Sequence, residues 1–120
     1  MRLAFLPGVA AAFAATAALA DDPLAVYYGN TIVFSTPKGE MGRQLVNPDH
    51  TFISYQPSGL AVKGTWAVNN NVVCYTRTDP APRANEQGTV CRPLRPHKVG
   101  DSWTINQNGV TMNVTLRAGR

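Results

Sequence analysis

The segment 103–117 constrains the fold more than any other part of the chain. It reads W-T-I-N-Q, then Asn108-Gly109, then V-T-M-N-V-T-L-R. Asn-Gly is the preferred pair for a two-residue hairpin turn, because both turn positions need φ > 0, which Asn tolerates and Gly adopts freely. Such a turn sets Gln107 opposite Val110, Ile105 opposite Met112 and Trp103 opposite Val114. Trp103, Ile105, Met112, Val114 and Leu116 then share one face. Thr104, Asn106, Thr111, Asn113, Thr115 and Arg117 share the other. A slip of one residue would send the whole apolar set to solvent. Turn chemistry and hydrophobic phase therefore specify the same register.

The same grammar runs upstream. Strands are expected at 30–36, 43–46, 51–56, 60–68, 72–78 and 89–94, separated by Pro37-Lys38-Gly39, Asn47-Pro48-Asp49, Pro57-Ser58-Gly59 and Asn69-Asn70-Asn71. Asn tolerates the left-handed region and suits a tight turn. Read as a three-residue turn, Asn69–Asn71 places Trp66 opposite Cys74. Residues 79–88 form the one long loop. Between residues 21 and 120 there are eleven Val, ten Thr and eight aromatic residues against six Ala and five Leu, with eight Pro spread among them. That composition favours short strands. The fold class is all-β: a small antiparallel meander closed or nearly closed into a barrel, with a two-sheet sandwich as the alternative.

Residues 1–20 have a different character. Sixteen are hydrophobic, nine of them Ala, behind the single cation Arg2, and they end in Ala18-Leu19-Ala20. This small-x-small ending is what a signal peptidase accepts. The 18-residue stretch from Leu3 is only at the lower limit for a membrane span and is interrupted by Pro7 and Gly8. The expected organisation is a signal peptide, 1–20, and a single β domain, 21–120, periplasmic or secreted. In an oxidising compartment the pair Cys74 and Cys91 is most simply a disulfide. The alternatives are a metal pair with His97 or a redox thiol, but Cys-x16-Cys-x5-His matches no compact zinc pattern and there is no Cys-x-x-Cys.

Catalytic chemistry is thinly provided. His50 sits in an expected turn, and His97 lies beside cations that disfavour its charged form. No serine occupies a nucleophile elbow. The carboxylates are scattered, the glycines stand singly, and no metal or cofactor site is expected. Charge gives a softer lead: Arg77, Arg83, Arg92, Arg95 and Lys98 put five cations within residues 77–98, a candidate basic contact patch for an anionic component. Trp66 and Trp103 are the aromatic anchors, either core or the lining of a ligand cavity, since a small eight-stranded barrel holds side chains or one small ligand.

Tyr28-Gly29-Asn30-Thr31, Asp49-His50-Thr51-Phe52, Gly64-Thr65-Trp66, the two cysteines and Lys98-Val99-Gly100-Asp101-Ser102-Trp103 together resemble a family of small exported proteobacterial proteins. That resemblance implies export and the disulfide and supplies no activity. More distantly, the Gly-x-Trp strand with paired cysteines is similar to periplasmic metalloprotease inhibitors of β-barrel type. Their N-terminal segment is the inhibitory arm, which would correspond to residues 21–25 here. The resulting expectation is a non-enzymatic binding module of the bacterial envelope, in its sharpest form an inhibitor of a protease or other envelope enzyme. Its partner would be an envelope protein or an anionic envelope component. The alternative is a carrier of a small apolar ligand in the barrel interior. No nucleic acid, no stable membrane insertion after cleavage and a monomeric state are expected.

Overall fold

The computed structural model describes residues 22–120; the expected leader, 1–20, lies outside the described residues. A single 3-10 turn, Ala25–Tyr27, precedes eight strands: β1 Thr31–Ser35, β2 Met41–Val46, β3 Thr51–Tyr55, β4 Ala61–Asn69, β5 Val72–Asp79, β6 Thr89–Pro93, β7 Ser102–Gln107 and β8 Val110–Arg117. They form one antiparallel sheet in the order β6-β5-β4-β3-β2-β1-β8-β7. The chain meanders from β1 to β6, and the hairpin β7–β8 then returns to the far side of β1. The break in the cylinder therefore falls between β6 and β7, not between the first and last strands.

The sheet is strongly curled. Laid flat, eight strands about 4.8 Å apart would hold their edges roughly 34 Å from one another. Yet Arg92 on β6 donates a hydrogen bond to the side-chain oxygen of Gln107 on β7. Only a sheet rolled nearly into a barrel brings its two edges within reach of one arginine. Two glycines permit the close packing this needs. Gly42 lies directly opposite Phe34 and Gly64 directly opposite Phe52. A Cβ on Gly64 would sit 1.9 Å from the Thr76 carbonyl oxygen and 2.8 Å from the Phe52 ring. At Gly42 it would sit 2.5 Å from the Phe34 ring and 2.6 Å from the Tyr55 carbonyl oxygen. Each Phe covers the bare backbone opposite it, a pairing that lets a sheet bend without exposing its ladder. The β4–β5 register also shifts between Lys63 and Gly64.

The C-terminal hairpin has the register its sequence specifies: Gln107 faces Val110, Ile105 faces Met112 and Trp103 faces Val114. The β4–β5 hairpin differs from expectation by one residue. Asn70 and Asn71 both take left-handed φ, 52° and 62°, and form a two-residue turn. Asn69 thus pairs with Val72, Trp66 with Tyr75 and Ala67 with Cys74. Two successive left-handed residues match the natural twist of the flanking strands, so the shorter turn wins. The slip turns Trp66 into the barrel and leaves Cys74 on the outer face. There Cys74 lies opposite Cys91, and the two form a disulfide with an S–S distance of 2.07 Å.

The core fills one end of the barrel. Val46, Phe52, Val62, Trp66 and Val73 pack with Leu24, which is fully buried although it precedes every strand. Phe52 meets the edge of Tyr75 with ring centroids 5.3 Å apart. The N-terminal turn therefore acts as a plug held by Leu24. The C-terminus is tied at the same end. Arg120 donates to Asn47 Oδ1 at 2.8 Å, to the Val46 carbonyl at 2.7 Å and to the Asn30 carbonyl at 3.1 Å.

Candidate functional site

The residues singled out by sequence separate in the structure. Of the five cations, Arg77 is committed to the long loop: its Nε donates to the Pro80 carbonyl at 2.6 Å and its guanidinium stands 3.7 Å from Glu86. Arg92 faces the half-enclosed interior, beside Tyr75, and spans the seam to Gln107. Burial holds its guanidinium below the ordinary value, while the nearby Tyr75 opposes that shift. Arg83, Arg95 and Lys98 are exposed. The basic segment therefore divides between the loop, the barrel interior and solvent.

The two histidines stack on the two tryptophans. His50 is parallel to Trp66, centroids 4.0 Å apart, and His97 to Trp103, centroids 3.5 Å apart. His97 Nδ1 stands 4.0 Å from Asp101. Burial pushes the His97 imidazole below its ordinary value; Asp101 pulls it back up and Arg95 adds to the lowering. Trp66 is core, 4% exposed, with its Nε1 donating to the Asn47 carbonyl at 3.0 Å. Trp103 is half-buried on the inward face of edge strand β7. Among the described residues no three His, Cys, Asp or Glu side chains gather to hold a metal, and no helix is long and apolar enough to cross a membrane.

Residues 22–25 do not project as an arm. Leu24 is wholly buried, its N–H donates to Asp22 Oδ1 at 3.2 Å, and the Tyr28 hydroxyl donates to both Asp22 oxygens at 3.1 Å. The apolar side chain at the centre of the segment is worth more in the core than in solvent, by about 1.5–3 kcal/mol.

Two open clefts stand out among the described residues. One, of about 330 Å³, lies at the plugged rim and is lined by Asp22, Pro23, Tyr28, Pro48, His50, Trp66 and Val68. The other, of about 350 Å³, lies on the outer face where β1, β2, β3 and β8 run side by side. Register builds it. Val33 sits opposite Arg43, and Arg43 opposite Tyr55, so the three form one row across the sheet. The Arg43 guanidinium lies 4.2 Å over the centre of the Tyr55 ring. Arg117 joins from β8, and Met41 stands 60% exposed at the start of β2. Among the described residues two guanidinium groups line this cleft and no carboxylate does; Glu40 lies just outside it.

Neither cleft was visible as a motif. Met41, Arg43, Tyr55 and Arg117 come from three strands, and only the cross-strand register brings them together. The available signal was phase: Arg43 and Tyr55 fall on the outward positions of their strands. No protein-family model, curated protein or solved structure matches the chain, so the chemistry of these clefts rests on their own residues.

Proposed function

We propose that this chain is an exported, non-enzymatic binding module of the bacterial envelope. It grips an acidic, partly apolar segment of an envelope protein in the outer cleft between β1, β2, β3 and β8. The observation that carries the reading is the Met41–Arg43–Tyr55–Arg117 surface. Arg, Tyr and Met are the side chains enriched where binding energy concentrates. Here an arginine pre-stacked on a tyrosine gives up little further freedom on binding. Two cations with no carboxylate in the lining favour an anionic partner, and Met41 and Val33 favour aliphatic contact beside the charge. A disulfide supports an oxidising compartment. A cleft of this size takes a short segment, not a full protein–protein interface of about 800 Å² per partner. Where the segment belongs to a protease or another envelope enzyme, occupying it would inhibit that enzyme.

The test is a photo-crosslinking side chain introduced at Met41 in the living host, with the adducts sequenced. Crosslinks should converge on one protein through a Glu- or Asp-rich stretch, and Arg43→Glu with Arg117→Glu should abolish them. Arg43→Ala alone should weaken binding of the recovered peptide roughly 30-fold, about 2 kcal/mol. Adducts with lipid or lipopolysaccharide, or crosslinks that survive the charge reversal, would overturn the proposal.

A further inference from the structure

We infer that the rim cleft is a binding site for a small organic cation, an alkylammonium or guanidinium group. The inference concerns a different face of the barrel and does not depend on the outer cleft.

The polar side-chain atoms that the rim cleft leaves unspent are acceptors. The Asp22 carboxylate accepts from the Tyr28 hydroxyl and the Leu24 N–H, and two oxygens with about four lone-pair sites keep capacity for another donor. The Tyr28 hydroxyl spends its proton on Asp22, leaving its own lone pairs. His50 Nδ1 lies 3.1 Å from the Trp66 carbonyl, which can only accept, so that nitrogen carries the proton. In the neutral ring Nε2 is then an acceptor. Around these groups stand the rings of Tyr28 and Trp66, centroids 6.4 Å apart and tilted by 32°, together with the donor-free prolines Pro23 and Pro48.

Among the described residues no lysine or arginine lines the cleft. The nearby Arg120 is committed to Asn47, Val46 and Asn30, and the neighbouring Asp49 is engaged by both the hydroxyl and the N–H of Thr51. A cleft whose side chains offer a carboxylate and further acceptors beside an aromatic ring is complementary to a group that carries several N–H donors and a positive charge. The charge meets Asp22 and the Tyr28 ring, and the alkyl portion meets Val68 and the prolines. An anion would meet the Asp22 carboxylate, and an uncharged alcohol would forgo the charge interactions. The four residues that make the site come from the N-terminal turn, the β2–β3 turn and β4, and the stack of His50 on Trp66 fixes two of them together.

The experiment follows the Trp66 indole N–H by NMR, assigned against a Trp103→Phe variant, in the chain purified from its host. The probes are n-butylammonium, butan-1-ol, butyrate and a short peptide carrying one lysine. Butylammonium should shift the Trp66 resonance saturably in the millimolar range. Butan-1-ol and butyrate should not. Asp22→Asn keeps an oxygen for the Leu24 N–H and so should fold, but should weaken butylammonium binding about tenfold or more. A lysine peptide binding more tightly than butylammonium would identify a partner's side chain as the source of the cation; equal binding would identify the free amine. A shift that never saturates, an equal response to butan-1-ol or butyrate, or an undiminished response in Asp22→Asn would overturn the inference.

Discussion

Gly64 has no room for one added carbon, and that fact belongs to the curl of the sheet more than to glycine's backbone freedom. Its virtual Cβ collides with the rigid carbonyl of Thr76 on one side and the Phe52 ring on the other. The carbonyl belongs to the neighbouring strand and cannot swing away. Gly64→Ala should therefore destabilise the domain by about 3 kcal/mol or more, read from urea denaturation. Gly39→Ala, in open space but at φ +83°, should cost only about 1 kcal/mol of backbone strain. A small effect at Gly64 would mean that β4 and β5 do not approach as closely as described. His97 supplies a second test at this scale. Its folded-state value is lowered, so the unfolded chain binds the proton more readily. Stability from this group is complete above the ordinary histidine value of about 6.5 and is lost as pH falls through the lowered folded value. Thermal melts from pH 7 to pH 5 should show a decline that is smaller in His97→Phe, which keeps an aromatic ring on Trp103 and cannot titrate. Parallel pH profiles for the two proteins would refute the assignment.

Strands and hairpins were the most legible elements in the sequence, because each rests on local chemistry. Asn108-Gly109 declared both its turn and its register, and Trp103, Ile105, Met112, Val114 and Leu116 face inward as their alternation requires. The Asn70-Asn71 turn was harder to place because Asn69 shares its chemistry; three equivalent side chains leave the two-residue and three-residue turns unresolved. Register decides what that ambiguity costs. One residue moves Trp66 from beside the disulfide to the centre of the core. Asn71→Gly should be neutral or stabilising by up to about 1 kcal/mol, since φ 62° suits glycine at least as well. Inserting a glycine after Asn71 should lower the melting temperature sharply by splaying that register, which differential scanning calorimetry would show. The clefts were illegible for the opposite reason. Asp22, His50 and Trp66, or Met41, Tyr55 and Arg117, are neighbours only after the whole sheet has rolled, and no local signal announces a juxtaposition of that kind.

At the scale of the molecule, what distinguishes this barrel is where it is left open. The natural place for a meander to stay unclosed is between its ends, yet β8 pairs with β1 and the gap falls between β6 and β7. Both edges are managed. Pro93 ends β6, where its missing N–H cannot recruit another strand, and the Cys74–Cys91 disulfide staples that short strand to β5. Arg92 to Gln107 spans the gap with side chains in place of a backbone ladder. The pairing pattern makes the open seam measurable. The Arg77 N–H donates to the Gly88 carbonyl and the Leu94 N–H to the Asn71 carbonyl, each at 2.8 Å. By alternation Val90 and Arg92 bond to β5, while Thr89 and Cys91 point their N–H groups into the gap. On the other edge the Leu116 N–H donates to the Asp101 carbonyl at 3.0 Å, and the two-residue turn pairs Gln107 with Val110. Trp103 and Ile105 therefore bond to β8, while Ser102, Thr104 and Asn106 face the gap. Amide hydrogen exchange should show this as a two-residue rhythm: Val90, Arg92, Trp103 and Ile105 protected, with Thr89, Cys91, Ser102, Thr104 and Asn106 exchanging at least about a hundredfold faster. A continuous run of protection along β6 and β7 would mean that a closed barrel, or a bound strand, occupies the seam in solution. In either case the gap would no longer be a free edge, and the side-chain bridge from Arg92 to Gln107 would have to be replaced by backbone pairing.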